Sequence, residues 1–194
     1  MSTPIGTYLK QETRAAHVAT EALLLGSAIR DRSVSLRRYR RLILVTERVW
    51  RSAAQLPSTT QYFPNLATHV TTLAAAVDRD RALLGLPKSP PATEFPLPKS
   101  RAETLGMLYV LLGSTLGGRM IAGLLGDCPE LAQLNAHHFY GACADLPRST
   151  WGNFQRLLTQ EVRTAADREH CLAGALATFG LYPVLVERSG LTDV

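Results

Sequence analysis

The stretch that decides the fold is Leu108-Tyr109-Val110-Leu111-Leu112-Gly113-Ser114-Thr115-Leu116-Gly117-Gly118-Arg119. It sits in a longer apolar run, residues 105–126, where Arg119 is the single charge and glycine recurs at 106, 113, 117, 118, 123 and 126. A lone membrane span with a cation at its middle is costly, so the run reads as a buried helix of a globular protein. Each glycine inside a helix costs about 1 kcal/mol relative to alanine. Gly113, Gly117 and Gly118 therefore need a reason: close approach of backbone to a ligand or another helix, or a kink. A phosphate-binding loop would need Lys-Ser/Thr after its second glycine, whereas Gly118 is followed by Arg119 and Met120. A dinucleotide fingerprint would need a preceding strand, and none is visible. A flat ligand on exposed helix backbone and plain helix packing both stay open.

Outward from this helix the rest of the chain also reads as helical. Leu9, Thr13, Ala16, Thr20 and Leu24 recur at helical spacing, which predicts one helix over 5–25 with Gly26 as its stop. Ser33 or Ser35 caps a second helix running to about Gln55, and Pro57 ends it. Pro64 opens a third carrying Leu66, Val70, Leu73, Ala74 and Val77. Pro87, Pro90, Pro91, Pro96 and Pro98 mark a loop within 85–98. The glycine helix is expected over about Ser100 to Leu125. Further helices are expected over Pro129–Ala144, Ser149–Asp167 and Glu169–Glu187, the last kinked by Pro183. No run alternates at strand spacing. The expectation is an all-α fold of about seven helices in a single domain, residues 1–194.

With 46% hydrophobic and 19% charged residues over 194 positions, the chain is neither disordered nor fibrous. Three cysteines, Cys128, Cys143 and Cys171, are too few and too scattered for a disulfide framework or a four-ligand zinc site. They read as reduced structural thiols of a cytoplasmic protein. The N-terminus shows no signal peptide, and no membrane attachment is expected. The charge of +5 permits nucleic acid, acidic proteins or anionic small molecules and selects none. Arg37-Arg38-Tyr39-Arg40-Arg41 is either a solvated helix face or a docking site for an acidic protein or nucleic acid. A helix-turn-helix is not supported, because the first helix is too long and lacks the turn glycine.

His17 shares its face with Leu9, Thr13, Ala16, Thr20 and Leu24. Such a histidine is commonly a core residue, but Glu21 stands one turn on, and Lys10 and Arg14 precede it. An imidazole beside cations suits an anionic ligand that carries a metal, with Glu21 orienting the ring. His137 and His138 face different directions and chelate poorly together. His69 and His170 lack partners at zinc spacing.

Three segments together resemble the heme oxygenases, especially the bacterial biliverdin-producing type associated with bacteriophytochromes. Leu9-Lys10-Gln11-Glu12-Thr13-Arg14-Ala15-Ala16-His17 is similar to that family's proximal helix. The quoted glycine helix resembles the bacterial distal helix. His138-Phe139-Tyr140-Gly141, Trp151-Gly152-Asn153-Phe154 and Ala177-Thr178-Phe179 follow in the family's order. Within the resemblance, Leu112 replaces a usual Glu, Ser114 takes the place of an Asp of animal-type members, and Tyr182 replaces a Trp.

The resemblance implies heme as substrate and cofactor, with His17 as the iron ligand. It implies Lys10, Arg14, Glu21, Arg156 and Phe179 around the heme, and Gly113, Ser114, Gly117 and Gly118 on the O₂ side. The implied reaction opens heme with O₂ and supplied electrons, giving biliverdin, carbon monoxide and ferrous iron. With no flavin or iron–sulfur motif in the chain, the electrons would come from a separate protein such as ferredoxin, docking on the arginine cluster or a neighbouring basic face. A bacteriophytochrome is the implied biliverdin acceptor, and no nucleic-acid partner is expected. Two rival readings are a non-catalytic heme or tetrapyrrole binder on the same fold, and a thiaminase-like hydrolase needing a nucleophilic cysteine.

Overall fold

The computed structural model describes residues 3–88 and 97–190. Among these residues every regular element is an α-helix: α1 Ile5–Glu12, α2 Arg14–Leu24, α3 Leu36–Ala54, α4 Pro57–Tyr62, α5 Pro64–Leu83, α6 Arg101–Leu125, α7 His138–Asp145, α8 Ser149–Glu161 and α9 Ala165–Arg188. The all-α expectation holds. The count rises to nine for identifiable local reasons. The expected first helix is interrupted at Thr13, whose backbone takes φ −95° and ψ 0°, into α1 and α2, while Thr13 N still donates to the Leu9 carbonyl at 2.9 Å. Pro57 ends α3 as expected but also opens α4 at its first position.

Several caps fall where the sequence puts them. The Ser35 Oγ accepts from Arg38 N, Pro64 opens α5, and the Ser100 Oγ accepts from Glu103 N. Gly26 takes φ +53°, and its amide donates to the Glu21 carbonyl at 2.7 Å, closing α2 with the left-handed residue that glycine favours. Other boundaries differ. The helix expected over Pro129–Ala144 starts only at His138. The helix expected to reach Asp167 stops at Glu161, because Thr164 and Asp167 form a capping box that starts α9. Pro183 lies inside α9, which continues to Arg188. Of the proline loop, Pro90, Pro91 and Pro96 lie outside the described residues.

The core is built around α6. Leu105, Met107, Leu108, Leu111 and Leu112 are all buried to within 1% of full burial, each stabilising the fold by about 1.5–3 kcal/mol. α9 crosses this half of α6 at van der Waals range. A Cβ at Gly106 would lie 1.8 Å from the Cys171 carbonyl oxygen, and one at Gly174 would lie 2.1 Å from that of Glu103. The two glycines therefore make the crossing possible. By length and apolarity α6 and α9 could each span a membrane; here they pack on one another. α7 closes the far side of α6, where a Cβ at Gly118 would meet the Cys143 Sγ at 2.9 Å.

Candidate functional site

The segments flanking α2 are tied to α6 and to the segment that follows it. At the N-terminal end, Thr13 hydrogen-bonds the Tyr109 hydroxyl, one turn before Gly113. At the C-terminal end, Arg32 Nε meets Asp127 Oδ2 at 3.0 Å. Nearby, the Leu36 amide donates to Glu130 Oε2 at 2.9 Å. Between these ties α2 buries no residue. His17 and Val18 stand exposed on it, and Leu116 and Met120 stand exposed on α6. Gly113, Leu116, Gly117 and Met120 recur at intervals of three and four, so they form one stripe without a single polar side chain. Both helices thus leave apolar surface exposed.

α2 carries the imidazole. His17 Nε2 lies 3.8 Å from Glu21 Oε1, and both side chains are more than half exposed. The ring of Phe179 on α9 meets the His17 ring edge-on, with centroids 6.1 Å apart, which backs the imidazole against the protein. Lys10 and Arg14 are exposed. The structure therefore brings together His17, Glu21 and Phe179, with both cations nearby in sequence. Arg156 is exposed on α8, and its hydrogen bond goes to Asn153 of its own helix.

On α6 the glycines have three different neighbours. A Cβ at Gly117 would meet nothing within 4 Å. One at Gly113 would touch the Trp151 ring at 3.6 Å, an ordinary contact. Gly118 is sterically required by the α7 packing described above. The Ser114 and Thr115 hydroxyls donate to the Leu111 and Leu112 carbonyls, both at 2.7 Å. Adjacent back-bonds of this type occur in bent helices. The Ser114 hydrogen is thus held by backbone, leaving its oxygen lone pairs exposed.

Tyr109 is the site residue that sequence reasoning missed. Its ring stacks at a tilt on Trp151, with centroids 5.6 Å apart. Burial raises the hydroxyl pKa, and the hydrogen bond with Thr13 partly offsets this. It stays protonated at neutral pH; with the Thr13 hydrogen on the Leu9 carbonyl, the Tyr109 hydrogen goes to Thr13. The visible signal was its position four residues before Gly113, on the side of the helix where the stripe begins.

The arginine cluster is not a free docking face. Arg38 Nε donates to the Leu24 carbonyl at 2.9 Å, and the buried Arg41 reaches the Leu23 carbonyl at 3.4 Å. Arg40 Nη1 donates to the Leu84 carbonyl at 2.9 Å. Three of the four guanidiniums thus hold the C-terminal carbonyls of α2 and α5, where cations are favoured. Arg37 alone of the four is exposed, and the other three brace the ends of α2 and α5.

The hydrolase reading fails on its nucleophile. All three cysteines are buried, and burial pushes the Cys143 and Cys171 thiols up to about 12, whereas a nucleophilic thiol needs the opposite shift.

Comparison with known proteins bears on what this site is. No family model matches the chain. A heme oxygenase of Xanthomonas campestris pv. campestris (strain 8004) is 41% identical over 105 residues, covering 54% of this chain and 61% of that protein. The match thus spans less than two thirds of that relative's length. The structure superposes on the crystal structure of the NO- and CO-bound heme oxygenase of Neisseria meningitidis with a TM-score of 0.73. That superposition covers 97% of this chain and 92% of the other at 20% identity. The chain has the heme oxygenase fold. Its identity to the Xanthomonas protein adds a sequence relationship to that shared architecture.

Proposed function

We propose that this chain is a heme oxygenase, opening heme with O₂ and supplied electrons to biliverdin, carbon monoxide and ferrous iron. The observation that carries the proposal is His17, exposed on a helix without buried residues, with Glu21 and Phe179 beside its ring, in a chain of this fold that also exposes the glycine and apolar face of α6. These residues fit a flat, largely apolar, anionic group that takes one nitrogen ligand. Bound heme would supply the iron and the porphyrin on which O₂ reacts.

The chain's own residues do the binding, orienting and excluding. His17 would supply a nitrogen to hold the heme iron, with Phe179 against its ring. Lys10 and Arg14 would recognise the propionates by charge-assisted hydrogen bonds. Arg38 and Arg41 anchor the C-terminal carbonyls of α2 and so fix where His17 stands. Gly117 leaves room over the opposite face, while Leu116, Met120 and Val18 keep bulk water from it. Ser114 offers oxygen lone pairs that can hold an ordered water, a route for protons into the site. Electrons come from a separate donor protein of ferredoxin type, and a bacteriophytochrome is a fitting biliverdin acceptor.

The test is direct. One equivalent of hemin is added to the protein, followed by ascorbate or by ferredoxin with its reductase in air. The proposal expects the heme absorbance to give way to a biliverdin band with release of carbon monoxide. Stable bound heme under the same conditions would make the chain a heme carrier or sensor.

A further inference from the structure

The outer side of α9 carries an apolar face that the fold leaves open. From Cys171 to Val186 the helix holds no charged side chain. Ala173, Leu176, Ala177, Gly180 and Val184 are spaced so that they share one side of the helix, and all five are exposed. Leu176 and Val184 are 41% and 40% exposed, two large apolar side chains on one stripe. Leu97, at 70% exposure, stands beside Ala173 and Ala177 around a shallow depression. Gly180 adds a separate sign. Gly106 and Gly174 are required by the crossing of α6 and α9, but a Cβ at Gly180 would meet nothing within 4 Å. A glycine inside a helix costs about 1 kcal/mol relative to alanine; with nothing of its own chain crowding it, this one leaves room for another backbone to come close. Phe179, which meets His17, is buried and lies outside this face, so the face is separate from the candidate heme site.

The charges at the two ends of the face indicate what covers it. Glu169 and His170 are exposed one turn before Ala173, and Glu187 and Arg188 are exposed one turn after Val184. At about 100° per residue these four stand on the same side of the helix as the apolar five. Consider two copies of α9 laid antiparallel about a two-fold axis that passes between Thr178 and Phe179. Ala177 then faces Gly180 at the centre, where both are small enough for close approach. Ala173 faces Val184, small against large. Glu169 faces Arg188 and His170 faces Glu187, so a carboxylate meets a basic side chain at each end, and the symmetry makes every contact twice. The face is thus complementary to itself in size and in charge. A lipid surface fits it less well, because Glu169 and Glu187 would both lie against the headgroups. We propose that the outer face of α9 is a homodimer interface, its partner a second copy of this chain in antiparallel, two-fold register. A single helix pair is small beside the roughly 800 Å² per partner of a standard stable complex, so association is expected to depend on concentration.

Sedimentation of the full chain across the micromolar range tests it. Wild-type protein is expected to move from the mass of one chain toward that of two as concentration rises. Ala177→Arg puts like charges at the centre of the pair and should weaken association by about tenfold or more, with circular dichroism unchanged. Arg188→Glu and Glu169→Arg should each weaken it by about threefold or more, and the double variant should recover it. Glu169 and Arg188 stand about 28 Å apart along one helix, so recovery can come only from contact between copies. Should Ala177→Arg unsettle the helix, the charge exchange between two exposed end positions still gives the reading. A chain that stays monomeric throughout overturns the interface, whether or not it floats with phosphatidylglycerol vesicles. So does a dimer unmoved by Ala177→Arg and by both single reversals, or a double variant as weak as the singles.

Discussion

Gly106 and Gly117 are the same residue on the same helix, about three turns apart, and they do opposite work. In front of Gly106 stands the backbone of α9, so close that a methyl group would lie 1.8 Å from a carbonyl oxygen. In front of Gly117 there is nothing within 4 Å. The first half of α6 is therefore the centre of the core, and the second half carries an open face. A glycine-rich apolar helix need not have one explanation: here packing accounts for Gly106 and Gly118, and an open face for Gly117.

The sharpest way to break this contrast is to add one methyl group at each place. Gly106→Ala has no room to relax, since the obstacle is backbone, and should destabilise the fold by about 3 kcal/mol or more. At this chain length that lowers the melting temperature by about 6 °C or more. A melting temperature within 1–2 °C of wild type, on the order of experimental scatter, would show that the crossing is looser than described.

Both crossings also bury a thiol, which gives a pH test. Cys143 and Cys171 have folded-state pKa values of about 12 against an ordinary 9.0. The stability from burying them neutral is fully present below pH 9 and is lost as pH rises from 9 toward 12. The slope approaches about 1.4 kcal/mol per pH unit for each thiol. Urea midpoints should fall over this range, and less so in a Cys143→Ala, Cys171→Ala chain. An identical alkaline fall in that chain would remove the thiols from the account.

The arginines offer a milder contrast. Arg38→Met should cost about 1.5–3 kcal/mol by freeing the Leu24 carbonyl and its charge-assisted bond. The amides of α2 should then exchange faster in the ligand-free protein. Arg37→Met, on the exposed side, should change stability by less than about 0.5 kcal/mol. Equal effects would return the cluster to a solvated face.

The smallest effect has the opposite sign. Gly117→Ala should stabilise the ligand-free protein by about 0.5–1 kcal/mol, because alanine favours the helix and nothing stands in its way. Gly117→Val should still bind hemin yet turn it over poorly, because its branched carbons project from the open face. Normal turnover in the valine variant would remove Gly117 from the O₂ side.

Much of the architecture was legible because its signals are local. Ser35, Pro64, Ser100 and Gly26 announce helix ends through hydrogen bonds and backbone angles within a few residues of themselves. The break at Thr13 was not legible, since threonine at that position fits helical spacing and its partner Tyr109 is remote in sequence. The arginine clamp was hidden for a related reason: the groups it holds are backbone carbonyls at Leu23, Leu24 and Leu84, which no side-chain pattern displays. Of Lys10, Arg14, His17, Glu21, Arg156 and Phe179, named together from the sequence, His17, Glu21 and Phe179 lie beside one another, and Arg156 bonds its own helix. The different fates of Gly113, Gly117 and Gly118 depend on Trp151, open space and Cys143, and only the folded chain supplies those.

The central claim is that the chain opens heme held by His17. The most direct measurement is single turnover of one equivalent of hemin with ascorbate in air, for wild type and His17→Ala, with and without added imidazole. The account predicts biliverdin from the wild type, none from the variant, and restored heme ligation when imidazole fills the space left by the side chain. Undiminished biliverdin formation by His17→Ala without imidazole would contradict it.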